Sequence, residues 1–223
     1  MSASSPRKRD GQERRRELSD AAIAVLAEHG SRGLTHQNVD RYAGVPDGTT
    51  SYYYRTRAAL LQAVGKRVAE IDTANLLSLS DATTETSTSA APFGRLAQLV
   101  LIQSDGDGLL LNKARHELLL NAARDPELVE TSQPFLRRVT EMARDAIAHV
   151  QPDVTDPGLL EAQSSAVMTF IAGVFLRFVS GDRSYADAER LERQLQAIAT
   201  AVAIDHADRP VTSGRDRRRP RRR

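Results

Sequence analysis

Between Ala43 and Arg57 the sequence reads AGVPDGTTSYYYRTR, a turn-forming stretch followed by hydroxyl residues, three successive tyrosines and two arginines. Hydroxyl, phenol and guanidinium groups hold phosphate oxygens and read base edges in a DNA groove. Other chemistries lack their residues. There is no cysteine, so thiolate catalysis and disulfides are excluded. His29, His36, His116, His149 and His206 show no metal-ligand spacing. No phosphate-binding glycine loop and no nucleophile elbow is present. Asp105-Gly106-Asp107-Gly108 opens like a calcium loop, but the ligand pattern that should follow is missing. No catalytic residue, metal or cofactor is expected, and an enzyme is disfavoured.

The elements that must position the 43–57 stretch are helices. Leu18, Ala21, Ala22, Val25 and Leu26 recur at helical spacing and predict a helix over 14–29, stopped by Gly30. Thr35 can cap a short helix, His36–Tyr42, that ends at Ala43-Gly44. After Val45-Pro46-Asp47-Gly48 a third short helix runs to about Tyr54. Two short helices joined by a tight turn within a three-helix unit can set the second helix into a DNA major groove. Val45 then plugs the core, and Gly48, Thr49, Thr50, Ser51, Tyr52 and Tyr53 form a short exposed face. Thr56 can cap a longer fourth helix with Leu60, Leu61, Val64, Val68 and Ile71 on one side.

Beyond it, residues 78–91 are rich in Ser, Thr and Ala and predict a flexible loop or frayed helix end. Pro92 opens a helix to about Ser104, residues 105–108 form a break, and further helices span 109–124, 127–150 with an interruption near Pro134, 159–180 and 186–208. Strand-like alternation is nearly absent, so the fold class is all-α. No apolar run approaches the roughly 18–20 residues of a membrane span, and the basic N-terminus lacks the apolar stretch of a secretory signal. A cytoplasmic protein without a membrane partner is expected. Charge is polarised: residues 1–16 hold six Lys/Arg against two acids, residues 215–223 hold seven Arg against one Asp, and the body between is acidic. Nucleic-acid contact is therefore confined near the ends. Residues 1–13 are expected to be a disordered basic arm and 209–223 a disordered Arg-rich tail.

The stretch Leu34-Thr35 through Ala43-Gly44-Val45-Pro46-Asp47-Gly48-Thr49-Thr50-Ser51-Tyr52-Tyr53-Tyr54-Arg55-Thr56-Arg57-Ala58-Ala59-Leu60 resembles the DNA-binding signature of TetR-type regulators. That signature runs T-x-x-x-I-A-x-x-A-G-V-S-x-G-x-L-Y-x-H-F-x-[SD]-K-x-x-L. The similarity begins near residue 14, and Arg115–Pro126 resembles a phrase from the family's second half. Departures are specific. Pro46 replaces the usual serine cap, so the third helix starts either with proline in its first turn or under an Asp47 cap. Ser51 stands for a tyrosine, Tyr53 for a histidine, Arg57 for a lysine and Asp40 for an alanine.

The resemblance implies a three-helix helix-turn-helix DNA-binding domain over 14–56 and a C-terminal helical bundle over 57–208 for sensing and dimerisation. It implies base-edge contacts by Thr49 and Ser51, helped by Gln37 and Asn38, with Gly48 and Tyr52 on the same face. Tyr53, Arg57 and Thr35 fall at phosphate-contact positions, Thr35 being otherwise only a cap. Arg14, Arg15 and Arg16 reach the neighbouring backbone or minor groove, and Tyr54 matches a core phenylalanine. Leu160, Val167, Ile171, Val174 and Phe178, and then Leu191, Leu195, Ile198 and Val202, form two apolar stripes. These pack either internally or against a second copy, and the resemblance favours a homodimer interface. It also implies a small-molecule pocket, for which Leu99, His116, Leu118, Asn121, Phe135, Met142 and Met168 are candidates. The implied function is a sequence-specific DNA-binding transcriptional regulator, a dimeric repressor released from a double-stranded DNA operator by a small molecule. The alternative is a helical protein-interaction module without specific DNA binding.

Overall fold

Helical spacing becomes helix throughout the residues that the computed structural model describes, 6–86, 92–122 and 126–208. In chain order these are α1 (Pro6–Gly33), α2 (His36–Ala43), α3 (Thr49–Tyr53), α4 (Arg57–Thr86), α5 (Pro92–Leu101), α6 (Gly106–Ala122), α7 (Pro126–Val150), α8 (Pro157–Val179) and α9 (Ala188–Asp208), with no strand among the described residues. Pro134 sits inside α7 without ending it.

Two segments expected to be irregular are helical. α1 begins at Pro6, so residues 6–13 extend the first helix rather than form a loose arm. Proline is tolerated in a helix's first turn, and the Gln, Glu and Arg residues that follow favour helix. Likewise α4 continues through 78–86, because adding a residue to an existing helix costs far less than nucleating one. Residues 87–91, the rest of that expected loop, lie outside the described residues, as do residues 1–5 and the Arg-rich tail 209–223.

Glycines bend the chain where turns were expected. α1 is broken at Gly30, whose φ is 65°. The break near 105–108 lies slightly earlier, over 102–105, with α6 starting at Gly106. A Cβ on Gly108 would stand 1.6 Å from the Ile102 carbonyl oxygen, so only glycine permits this reversal.

Two apolar cores result. The first joins Leu18, Leu26, Leu34, Val39, Leu60 and Val64 with Leu111, Ala114 and Leu118 of α6 and Leu128 of α7. The boundary expected at residue 56 therefore does not separate the cores: the first half of α4 and one face of α6 pack with the helix-turn-helix. The second core gathers Phe93, Leu96, Val139, Ile147, Val174, Phe178 and Leu191 from α5, α7, α8 and α9. At 30 residues, α4 is about 45 Å long at 1.5 Å per residue, and it runs from one core to the other.

The apolar stripes of α8 and α9 are not the free surface expected of them. Val167, Ile171, Val174, Phe178, Leu191 and Leu195 are buried within the single chain, Ile198 packs against the same core, and Val202 is half-buried. The reason is that α9 packs on α5 and α8 on α7, so the most apolar stripes complete the chain's own core. Gln163, fully buried, ties the pair by donating to the Gln151 side chain at 2.7 Å and to the Ala199 carbonyl at 2.8 Å. The opposite faces stay open: Ala162, Gly173 and Leu176 on α8, and Ala197, Ala201 and Ile204 on α9. By length and composition alone α8 is also apolar enough to cross a membrane, with mean hydropathy 1.5, contrary to the expectation that no run approaches that length.

Candidate nucleic-acid interface and inner cavity

α3 has only five residues, too few to be stable by itself. It is held by a neighbour. Asp40, 1% exposed in α2, accepts the Gly48 N–H at Oδ2 (2.8 Å) and both the Thr50 N–H (2.7 Å) and the Thr50 hydroxyl (2.5 Å) at Oδ1. A carboxylate at a helix N-terminus satisfies orphan N–H groups and meets the positive end of the dipole. Neither alternative raised for the start of α3 holds. Gly48 is the N-cap residue, with φ 90° and no side-chain bond of its own. Two departures from the family pattern thus compensate: proline removes the local serine cap, and an aspartate in place of alanine supplies a cap from the preceding helix.

The turn before α3 is equally determined. The Thr35 hydroxyl accepts the Asn38 N–H at 3.2 Å, and Gly44, with φ 64°, closes α2 by donating to the Arg41 carbonyl. Val45 N–H then reaches the Asp40 carbonyl at 3.0 Å. Behind α3, Tyr54 packs against the first core and its hydroxyl bonds the Ser19 hydroxyl (3.0 Å) and donates to the Arg15 carbonyl (3.1 Å). His36 Nε2 donates to the Tyr54 carbonyl at 2.6 Å.

Against this frame the named contact residues fall into groups. Tyr52 is 78% exposed, and Ser51, Gly48 and Gln37 are exposed beside it. Thr49 is half-buried and donates to the Pro46 carbonyl, while the Ser51 hydroxyl donates to the Gly48 carbonyl; both oxygens keep lone pairs to offer. Asn38 is turned inward: its amide donates to the Gly33 carbonyl at 2.8 Å and its oxygen accepts from Arg41. Tyr53 packs on the core, edge-on to Tyr52 with centroids 5.1 Å apart, under the Arg15 guanidinium at 5.2 Å. Arg14 pairs with Glu17, and Arg16 is exposed. Arg57 is exposed, but its Nη2 donates to both the carbonyl and the hydroxyl of Ser31 at 2.6 Å.

Ser31 is a junction that sequence reasoning missed. Its N–H donates to Glu117 at 2.9 Å and its hydroxyl donates to Asn121 at 3.0 Å, both on α6. Asn121 therefore faces the helix-turn-helix and does not line the cavity, as had been expected of it.

That cavity, about 550 Å³, lies between α4, α5, α6, α7 and α8. Leu99, His116, Leu118, Phe135 and Met168 line it; Met142 instead packs into the second core. Its buried charges were not foreseen. Asp72 of α4 is 3% exposed and accepts from Arg115 Nη2 of α6 at 2.6 Å. Burial pushes the Asp72 carboxyl above its ordinary range in spite of the Arg115 charge and hydrogen bond. The signal available was an ionisable residue on the apolar side of each of two helices. Among the described residues no group of His and carboxylates is placed to hold a metal.

A three-helix helix-turn-helix, packed through one long helix onto a helical domain with an inner cavity, defines a two-part regulator architecture. No family model and no curated protein matches the chain. Solved structures do. A TetR-family transcriptional regulator from Rhodococcus sp. superposes with TM-score 0.64 at 21% identity, over 85% of this chain and 98% of that one. A TetR-family member from Streptomyces coelicolor A3 gives 0.57 at 26%, over 83% and 98%. A transcriptional regulator from Saccharomonospora viridis in complex with choline gives 0.67 at 15%, over 85% and 96%. The chain has the fold of the TetR-family DNA-binding transcriptional regulators, as the 34–60 motif implied.

Proposed function

We propose that this chain is a dimeric transcriptional repressor that places α3 in the major groove and leaves its operator when a small molecule fills the inner cavity. The observation that carries the DNA-binding part is the exposed Ser51–Tyr52 face of α3, fixed by a buried carboxylate whose bonds to the chain all end at that helix. A surface meant only for solvent needs no such anchoring. Tyr52, Ser51, Thr49 and Gln37 are assigned to the groove, and Tyr53, Thr35 and the free N–H groups of Arg57 to phosphates, with Arg14, Arg15 and Arg16 flanking.

The dimer face is reassigned to the outer sides of α8 and α9. Leu176 and Ile204 are 57% and 60% exposed, and small residues beside them let two helix pairs approach closely. Gln194 Oε1 on the same side of α9 is buried without a hydrogen-bond partner among the described residues. Covering this face with a second copy also accounts for the apolar character of α8 without a membrane.

Ligand binding acts by shifting the dimer toward a spacing of the two α3 helices that no longer fits the operator. About 1.4 kcal/mol of preference for that state weakens binding tenfold. The path is short. α4 carries Arg57 at its start and Asp72 midway along it, and α6 carries Arg115 and His116 toward the cavity and Glu117 and Asn121 toward Ser31. Footprinting on genomic fragments tests the DNA-binding reading. The expected result is a two-fold symmetric protected site with half-site centres about 34 Å, or a small multiple, apart. Salt-sensitive binding with no preferred site would favour the protein-interaction module instead.

A further inference from the structure

The polar atoms facing the cavity can be sorted by whether they still have a proton to give. Thr131, Ser132, Thr140 and Thr169 all line it, and each hydroxyl donates back to a carbonyl of its own helix: to Leu128 at 2.8 Å, Val129 at 3.0 Å, Leu136 at 2.8 Å and Ser165 at 2.8 Å. What these four present to the interior is lone pairs; Ser165, also in the lining, is the one hydroxyl whose proton has no partner among the described residues. His116 Nδ1 lies 2.9 Å from the Asn112 carbonyl, which can only accept, so Nδ1 carries the proton and Nε2 of the neutral ring is an acceptor.

The charged groups point the same way. Asp72 has one oxygen engaged by Arg115, and its other oxygen accepts no hydrogen bond within the described residues. Glu161 also lines the cavity, at the far end of α8, but it is exposed and already paired with Arg144. It lies fourteen residues from Phe175, about 21 Å along the helix at 1.5 Å per residue, so the cavity is elongated. Arg115 is the sole Lys or Arg in the described lining, and it is already engaged. Its Nη2 donates to Asp72, its Nη1 donates to Gln103 at 3.3 Å, and its guanidinium lies 5.7 Å from the Phe175 ring centroid. The remaining wall is apolar, with Leu96, Leu99, Val139 and Met168 among its members.

An interior rich in acceptors, with one open oxygen on the buried Asp72 carboxylate and its one guanidinium occupied, favours a donor over an anion. We propose that the ligand is an elongated organic cation, an ammonium head group set against the free oxygen of Asp72 and His116 Nε2 with its apolar body along Leu96, Leu99 and Val139. This rests on the reading of the cavity as the ligand site. It adds a role for the Asp72–Arg115 pair: the incoming cation competes with Arg115 for the carboxylate, and Arg115 sits two residues from Glu117, which holds Ser31.

Three probes with one tail test it on the full chain by titration calorimetry: decylammonium, decan-1-ol and decanoate. Decylammonium is expected to bind at least tenfold more tightly than decanoate, with decanol between. Asp72→Asn should bring decylammonium to within about twofold of decanol. Arg115→Gln, which keeps a hydrogen bond to Asp72 while removing the competing charge, should tighten decylammonium several-fold, and this variant reports even if Asp72→Asn does not fold. Decanoate binding most tightly, a loss of affinity for every probe in Arg115→Gln, or no binding by any probe would each overturn the inference. Decylammonium that binds as expected yet leaves DNA affinity unchanged would instead contradict the proposed release mechanism and leave the ligand class standing.

Discussion

The two halves of the molecule use buried polar groups in opposite ways. In the helix-turn-helix, Asp40 directs three hydrogen bonds at one target, the start of α3. In the helical domain, Asp72 lines the cavity with one oxygen engaged by Arg115 and the other without a partner among the described residues. A fully satisfied network fixes one conformation, whereas a partly satisfied one leaves capacity for an added group. The contrast suits a rigid reading head joined to a chamber whose polar requirements are incomplete until something enters it.

The sharpest way to break this comparison is to remove what each half depends on most. Phe178→Ala should cost about 3–5 kcal/mol of stability in a denaturant titration, because the side chain is fully buried within the single chain. Leu176→Ala, two residues away and exposed in the single chain, should cost distinctly less, and only through the dimer face. Equal losses at both positions would mean that the inner stripe is not the core. A companion change, Gly173→Arg, should leave folding intact, since nothing lies within 4 Å of a Cβ there, yet shift sedimentation from dimer to monomer.

Asp40→Ala comes next. It leaves the Gly48 and Thr50 N–H groups without their acceptor, at about 1–3 kcal/mol for each buried unsatisfied group. Operator affinity should fall on the order of 100-fold if about 3 kcal/mol is felt in the DNA-bound state, while cavity binding stays within twofold. Asp40→Asn, with one acceptor oxygen, should lie between. A parallel loss of ligand binding would show that the two halves are not separable.

Arg57→Ala is smaller. Losing its bonds to Ser31 should cost about 1 kcal/mol of stability, and if Arg57 also meets a phosphate the salt slope of DNA binding should drop by about one unit. An unchanged slope would confine Arg57 to its Ser31 contact. The smallest expected effect lies at exposed Asp182. Its bonds from Ser184 and Arg177 lower its carboxyl to about 2. Because the folded value lies below the ordinary 3.8, its contribution is complete above that pH and is lost as pH falls toward 2. Asp182→Asn should therefore lower the melting temperature slightly at neutral pH, where the contribution is complete, and flatten the acid limb so that the two proteins converge as pH falls toward 2.

Legibility in the sequence followed the same division. The helix-turn-helix rests on contacts between residues close in sequence: the Thr35 cap, the Gly44 turn, the spacing of Leu18 to Leu26. Local patterns capture these. Asp40 was visible only as a departure from a family pattern, and its partner, the missing cap at Pro46, stood six residues away. In the helical domain, periodicity located the helices but not their neighbours. A stripe such as Val167 to Phe178 reads the same whether it meets α9 of its own chain or a second copy, and only the packing of α5 and α7 decides. Asn121 and Met142 were misplaced for that reason, since a half-turn of rotation separates a cavity face from an interface. The Asp72–Arg115 pair spans 43 residues, beyond the reach of any periodic signal.

On the proposed mechanism, one half senses what makes the other release DNA. Linkage tests it directly. Operator affinity should be measured at saturating cavity ligand, and ligand affinity in the presence of saturating operator. Both should weaken, and by the same factor. A ligand that fills the cavity while operator affinity stays unchanged would contradict it.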